Sequence, residues 1–84
     1  MDMEKTIRLR VRKDTVPSEH NSIIRLKGSL VSKGYTQIIH IEDQDDQFHV
    51  NTFEIPEEKT GEVLDYIASF IAGEKLLETI TITK

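Results

Sequence analysis

Arginine stands at every second position of the stretch TIRLRVRK: Arg8, Arg10 and Arg12 alternate with Ile7, Leu9 and Val11. Guanidinium groups are planar, permanently charged forks of donors that match carboxylates and phosphates. In an extended chain successive side chains point to opposite faces, so this spacing gathers the three arginines on one face and the apolar residues on the other. The chemistry offered is recognition of an anion rather than the making or breaking of bonds. Two further groups belong with it. His49 and Asn51, in QFHVNTFEI, alternate with Phe48 and Val50. The acidic strip Glu42, Asp43, Asp45 and Asp46 is a secondary patch suited to a basic target.

Other chemistries lack their residues. The 84-residue chain has no cysteine, which removes disulfides and any thiolate metal or redox site. No glycine-rich phosphate loop and no serine in a nucleophile elbow is present. After the arginine row, KDTVPSEHN has no glycine with which to cradle a phosphate. DQDD lacks the glycine and the distal glutamate of a calcium loop. His40 and His49 are the one pair that a metal could bridge, and zinc needs more ligands than can be placed around them. A pH-sensitive pair of imidazoles is the other reading of these two residues. No metal, no cofactor and no catalysis is expected.

These groups need elements to hold them. The strict alternation predicts a strand over residues 6–12. Ser18, after Pro17, is a suitable N-cap for a helix running to about Lys33. Ile23, Ile24, Leu26, Leu30 and Val31 would form its apolar stripe and Gly34 its C-cap. YTQIIHIE reads as a second strand, DQDD as a turn and QFHVNTFEI as a third strand. A four-residue loop over 43–46 predicts a register with Ile41 opposite Phe48, Ile39 opposite Val50 and His40 opposite His49. Phe53 and Ile55 then fall on the wrong parity, which predicts either a bulge over residues 51–55 or the strand leaving the sheet there. Residues 56–75 read as a second helix, opened by Pro56, with Val63, Tyr66, Ile67, Phe70 and Ile71 on one face. TITITK is the last strand, with Ile80 and Ile82 inward.

The order β-α-β-β-α-β is the ferredoxin-like arrangement, an α+β sandwich over the whole of residues 1–84. It carries a four-stranded antiparallel sheet in the order 4-1-3-2, with both helices on one face. Its first and third strands are central, so the arginine row runs down the middle of the open face. His49 and Asn51 would lie beside it, His40 and Glu42 on one flank, and Thr79, Thr81 and Thr83 on the other.

Charge is unevenly spread. Residues 1–33 carry a net +4 and residues 34–84 a net −8, making the total of −4. This predicts either oppositely charged faces or mutual neutralisation in the fold. The expected function is a small protein-binding domain of adaptor, inhibitor or immunity type, acting through Arg8, Arg10, Arg12, His49 and Asn51. Single-stranded RNA or DNA on the same face is the alternative, weakened by the shortage of outward aromatics and by the negative charge. A small-molecule-sensing or purely structural domain is the third reading. With no apolar run of membrane-spanning length and no signal-like N-terminus, a cytoplasmic protein is expected.

Overall fold

The computed structural model describes residues 4–83. Strand β1, Glu4–Arg12, leads into helix α1, Pro17–Ser32. Strands β2, His40–Asp43, and β3, Phe48–Pro56, form a hairpin. A short 3₁₀ turn, Glu57–Lys59, precedes helix α2, Thr60–Gly73, and strand β4, Ile80–Thr83, closes the order. The sheet is antiparallel throughout, in the order β2-β3-β1-β4. It is the ferredoxin-like order read from the opposite edge. Lys84, expected at the end of the last strand, lies outside the described residues. Among the described residues, no helix is long and apolar enough to cross a membrane.

Local chemistry accounts for the helix ends. Pro17 occupies the first turn of α1, where its missing N–H costs nothing. The Val16 N–H donates to Glu19 Oε1 at 3.0 Å, so the glutamate rather than Ser18 caps the helix. At the other end Gly34 takes φ +77°. The Gly34 N–H donates to Val31 O and the Tyr35 N–H to Leu30 O, each at 3.0 Å, the two bonds of a Schellman cap. Helix α2 ends in the same motif, but with a lysine in the left-handed position. Lys75 has φ +59°, and the Leu76 N–H donates back to Ile71 O at 2.8 Å.

Both helices cover the sheet face carrying Ile7, Leu9, Val11, Phe53, Ile55 and Ile80, and they add Ile23, Leu26, Leu30, Val63, Ile67 and Ile71 to that core. The stripe of α1 is narrower than its sequence predicts. Ile24 and Val31 are 50% and 46% exposed, and Ser22 takes a buried place. Ser22 is held there because its hydroxyl donates to Glu74 Oε1 at 2.9 Å, while Arg25 also reaches Glu74. A polar clasp between the helices thus replaces part of an apolar seam. At the other end of the helix pair the Tyr35 hydroxyl donates to Glu62 Oε2 at 2.6 Å. Glu62 and burial together push the phenol above its usual range.

Strand β3 corrects the sequence-derived register. It pairs with β1 without a break from Phe48 opposite Arg12 to Pro56 opposite Glu4, so the expected bulge is absent. Ile7 faces Phe53, and Leu9 faces Asn51. Ile41 lies opposite Asn51 rather than Phe48. This is a shift of an odd number of residues, which reverses every side chain of β3. The turn fits this register. Asp45 Oδ1 accepts from the Gln47 and Phe48 N–H groups at 2.8 and 3.0 Å, and the Gln44 N–H donates to Phe48 O at 3.0 Å. The loop is therefore centred later in the chain than residues 43–46.

Candidate functional site on the open sheet face

Reversal of β3 rebuilds the surface around the arginines. The arginines stand in three rows of the uncovered face. Glu42, Val50, Arg10 and Thr81 form one, and His40, Thr52, Arg8 and Thr83 form the next. Phe48 and Arg12 stand together in the third. Arg8, Arg10 and Arg12 lie on this face as the alternation predicts. Phe48, Val50 and Thr52 are the residues that sequence reasoning missed. A signal existed in the competing parity of Phe53 and Ile55, which lie next to Pro56, where the chain must enter the core beneath α2.

The three arginines are not equivalent. Arg12 is tied to Asp14 in a bidentate pair, Nε to Oδ1 at 3.0 Å and Nη2 to Oδ2 at 2.8 Å. That contact holds the Asp14 carboxyl below its usual range. Arg10 lays its guanidinium over the Phe48 ring, 4.6 Å from the centroid. Its Nε is buried without a hydrogen-bond partner. Arg8 is exposed, and among the described residues neither Arg8 nor Arg10 takes part in an ion pair. Phe48 and Val50 are half-buried, so the centre of the face is apolar with cationic groups around it.

His49 and Asn51 do not belong to this face. They point to the helix side with Val11 and Leu9, their partners on β1. Asn51 is only 3% exposed. Thr79 also leaves the flank: it is buried, and its hydroxyl donates to Glu19 Oε2 at 2.8 Å. The expected pairing of His40 with His49 fails for the same odd shift. His40 stands opposite Thr52 on the open face, whereas His49 stands opposite Asp43 on the helix side. Among the described residues, no group of three or more His, Asp or Glu side chains is placed to hold a metal.

The acidic strip is divided as well. Glu42 lies on the open face opposite Val50. Asp43 lies on the other face, 3.4 Å from Lys13 Nζ and 3.0 Å from His49 Nδ1. Asp45 is spent on the turn, and its backbone donors hold its carboxyl below the usual range. Asp46 is exposed at the tip. Ion pairs Lys13–Asp43 and Arg25–Glu74 join the basic and acidic parts of the chain, so part of the charge asymmetry is neutralised in the fold.

No family model matches the chain, and no curated protein or solved structure matches it significantly.

Proposed function

We propose that this is a non-catalytic protein-binding domain that receives an acidic segment of a partner protein on its open sheet face. The observation that carries the reading is the pair Arg8 and Arg10, without ion-pair partners among the described residues and beside the half-buried Phe48 and Val50. Arginine and aromatic residues supply most of the energy of protein interfaces when they surround a desolvated centre. Stacking on Phe48 orders the Arg10 guanidinium in advance, which lowers the entropy lost when a carboxylate binds. Single-stranded nucleic acid is the second reading, favoured by one observation: Phe48 faces outward on a central strand. Against it, Arg10 already covers that ring, and Glu42 and Glu54 share the face.

A pull-down from host lysate tests both, with and without nuclease. The baits are the wild type, Arg8→Ala with Arg10→Ala, and Arg12→Ala, each checked for folding by circular dichroism. The expected result is a protein that resists nuclease treatment, is lost with the double variant and is kept by Arg12→Ala. Direct titration of that protein should show each of Arg8 and Arg10 contributing about thirtyfold in affinity, the scale of a hot-spot residue. Loss on nuclease treatment favours the second reading. Equal recovery on all baits overturns both.

A further inference from the structure

The opposite face of the sheet carries a second, separate feature. Between α1 and the β2–β3 hairpin lies a cavity of about 310 Å³, lined among others by Lys13, His20, Lys27, Ile41, His49 and Asn51. Among the described residues no acidic side chain lines it, and Asp43 stands at its margin, 3.4 Å from Lys13 Nζ and 3.0 Å from His49 Nδ1. His20 and Lys27 are seven residues apart on α1 and therefore share one face of the helix. Ile23 and Val11 form buried apolar walls, while Ile41, 55% exposed on the edge strand β2, leaves one side open.

Asn51 is the residue that needs explaining. It sits in the middle of β3, opposite Leu9 and 3% exposed, and its Oδ1 is shielded from solvent without a hydrogen-bond donor. An unpaired buried amide oxygen is destabilising, and an apolar residue here would pack against its core neighbours at no such cost. His49 repeats the pattern. Its Nδ1 is buried and lies 3.0 Å from Asp43 Oδ1 without the alignment of a hydrogen bond. Unsatisfied polar groups lining a cationic cavity with apolar walls are the features of a small-molecule site.

We propose that this cavity binds a small organic anion that carries a hydroxyl donor on a short apolar body. The anionic group meets Lys27 and His20, the hydroxyl donates to Asn51 Oδ1, and the apolar body covers Val11, Ile23 and Ile41. Lys13 contributes less, because Asp43 already partners it. The site is independent of the arginine face, so either can exist without the other.

The test is an amide-resolved NMR titration of the whole chain with hydroxyisocaproate, which has all three features. Isocaproate, lacking the hydroxyl, and the corresponding uncharged diol are the comparisons. Saturable shifts at Asn51 and along α1 are expected, with a Kd of about 1 mM or tighter. Isocaproate should bind about tenfold more weakly and the diol more weakly still. Lys27→Gln replaces a half-buried side chain by one of similar length and should fold normally while weakening hydroxyisocaproate about tenfold. Asn51→Leu should abolish the preference for the hydroxyl and raise the melting temperature. If Asn51→Leu does not fold, Lys27→Gln alone decides the anion contact. Absence of saturable shifts overturns the proposal and leaves Asn51 with ordered water as its partner. Equal affinity for hydroxyisocaproate and isocaproate overturns the role of Asn51, and an unchanged Lys27→Gln overturns the charge contact.

Discussion

Lys75 is a single residue held against its preference. At φ +59° its Cβ crowds the backbone, and lysine has no compensating local hydrogen bond of the kind asparagine makes. Lys75→Gly should stabilise the protein by about 1 kcal/mol, raising Tm by about 4–8 °C in a domain of this size. Gly34→Ala should act in the opposite sense, since Gly34 fills the same position of the first helix. Thermal unfolding of the two variants checks both signs. Glu19 carries a different load. Its carboxylate accepts from the Val16 N–H and from the Thr79 hydroxyl, which together hold it below its usual value of 4.5. The Ser22 hydroxyl and Arg25 lower Glu74 in the same way. A carboxyl with a depressed folded value stabilises the fold fully above its unfolded value, and that contribution is lost as pH falls through the folded one. Stability should therefore hold steady above about pH 5 and decline as pH falls below 4.5. Urea unfolding of Glu19→Gln across the same range should show a shallower decline.

At the scale of the element, β3 shows how two hydrophobic patterns compete within nine residues. Phe48 and Val50 follow one parity, Phe53 and Ile55 the other, and a straight strand cannot bury both. Burial goes to Phe53 and Ile55, which are 1% and 0% exposed: Phe53 pairs with Ile7, and both join the core formed with the helices, although the partner of Ile55 on β1 is Lys5. Phe48 is left on the open face with the Arg10 guanidinium stacked upon it. Phe53→Ala should thus cost about 3–5 kcal/mol, and Phe48→Ala about 1 kcal/mol, the value of a partly exposed cation–π contact and little more. Denaturant unfolding of the two variants measures this directly. Equal costs, or the reverse order, would mean that the strand sits in the other register. The hairpin turn is compatible with that choice, since Asp45 draws in two backbone N–H groups where β3 begins.

Across the whole molecule, the same sheet separates two surfaces of different character. The open face places Arg8 and Arg10 around an apolar centre, and the helix-covered face leaves a cationic cavity beside its short edge strand. The clasps Ser22–Glu74, Tyr35–Glu62 and Glu19–Thr79 fix α1 against α2 and β4. With α1 held toward α2 in this way, β2 is exposed along its whole length, which is why Ile41 is uncovered. Surface charge follows from this arrangement rather than from the sequence halves. The strongly acidic C-terminal portion is partly spent on internal pairs with Lys13 and Arg25. Binding at the arginine face should therefore weaken only modestly with salt if the partner is a protein, and steeply if it is nucleic acid.

Elements whose pattern is local and unopposed could be read from the sequence alone. The strict alternation around the arginines, the glycine that ends α1, the stripe of α2 and the alternation of β4 over Ile80–Thr83 each rest on one period or one backbone conformation, and all are present in the fold. From their order the antiparallel sheet and its 4-1-3-2 arrangement follow. The facing of β3 did not have a local answer. Two parities of similar hydrophobicity compete there, and only pairing with β1 under the helices gives one of them a core to enter. That choice moved Phe48 and Val50 out beside the arginines, and it sent His49 and Asn51 to the opposite cavity. Likewise Ile24 and Val31 read as core by spacing, but they stay outside while Ser22, bonded to Glu74, takes a buried place. The composition of each surface was thus decided by strand register and helix rotation, which depend on contacts between residues far apart in the chain.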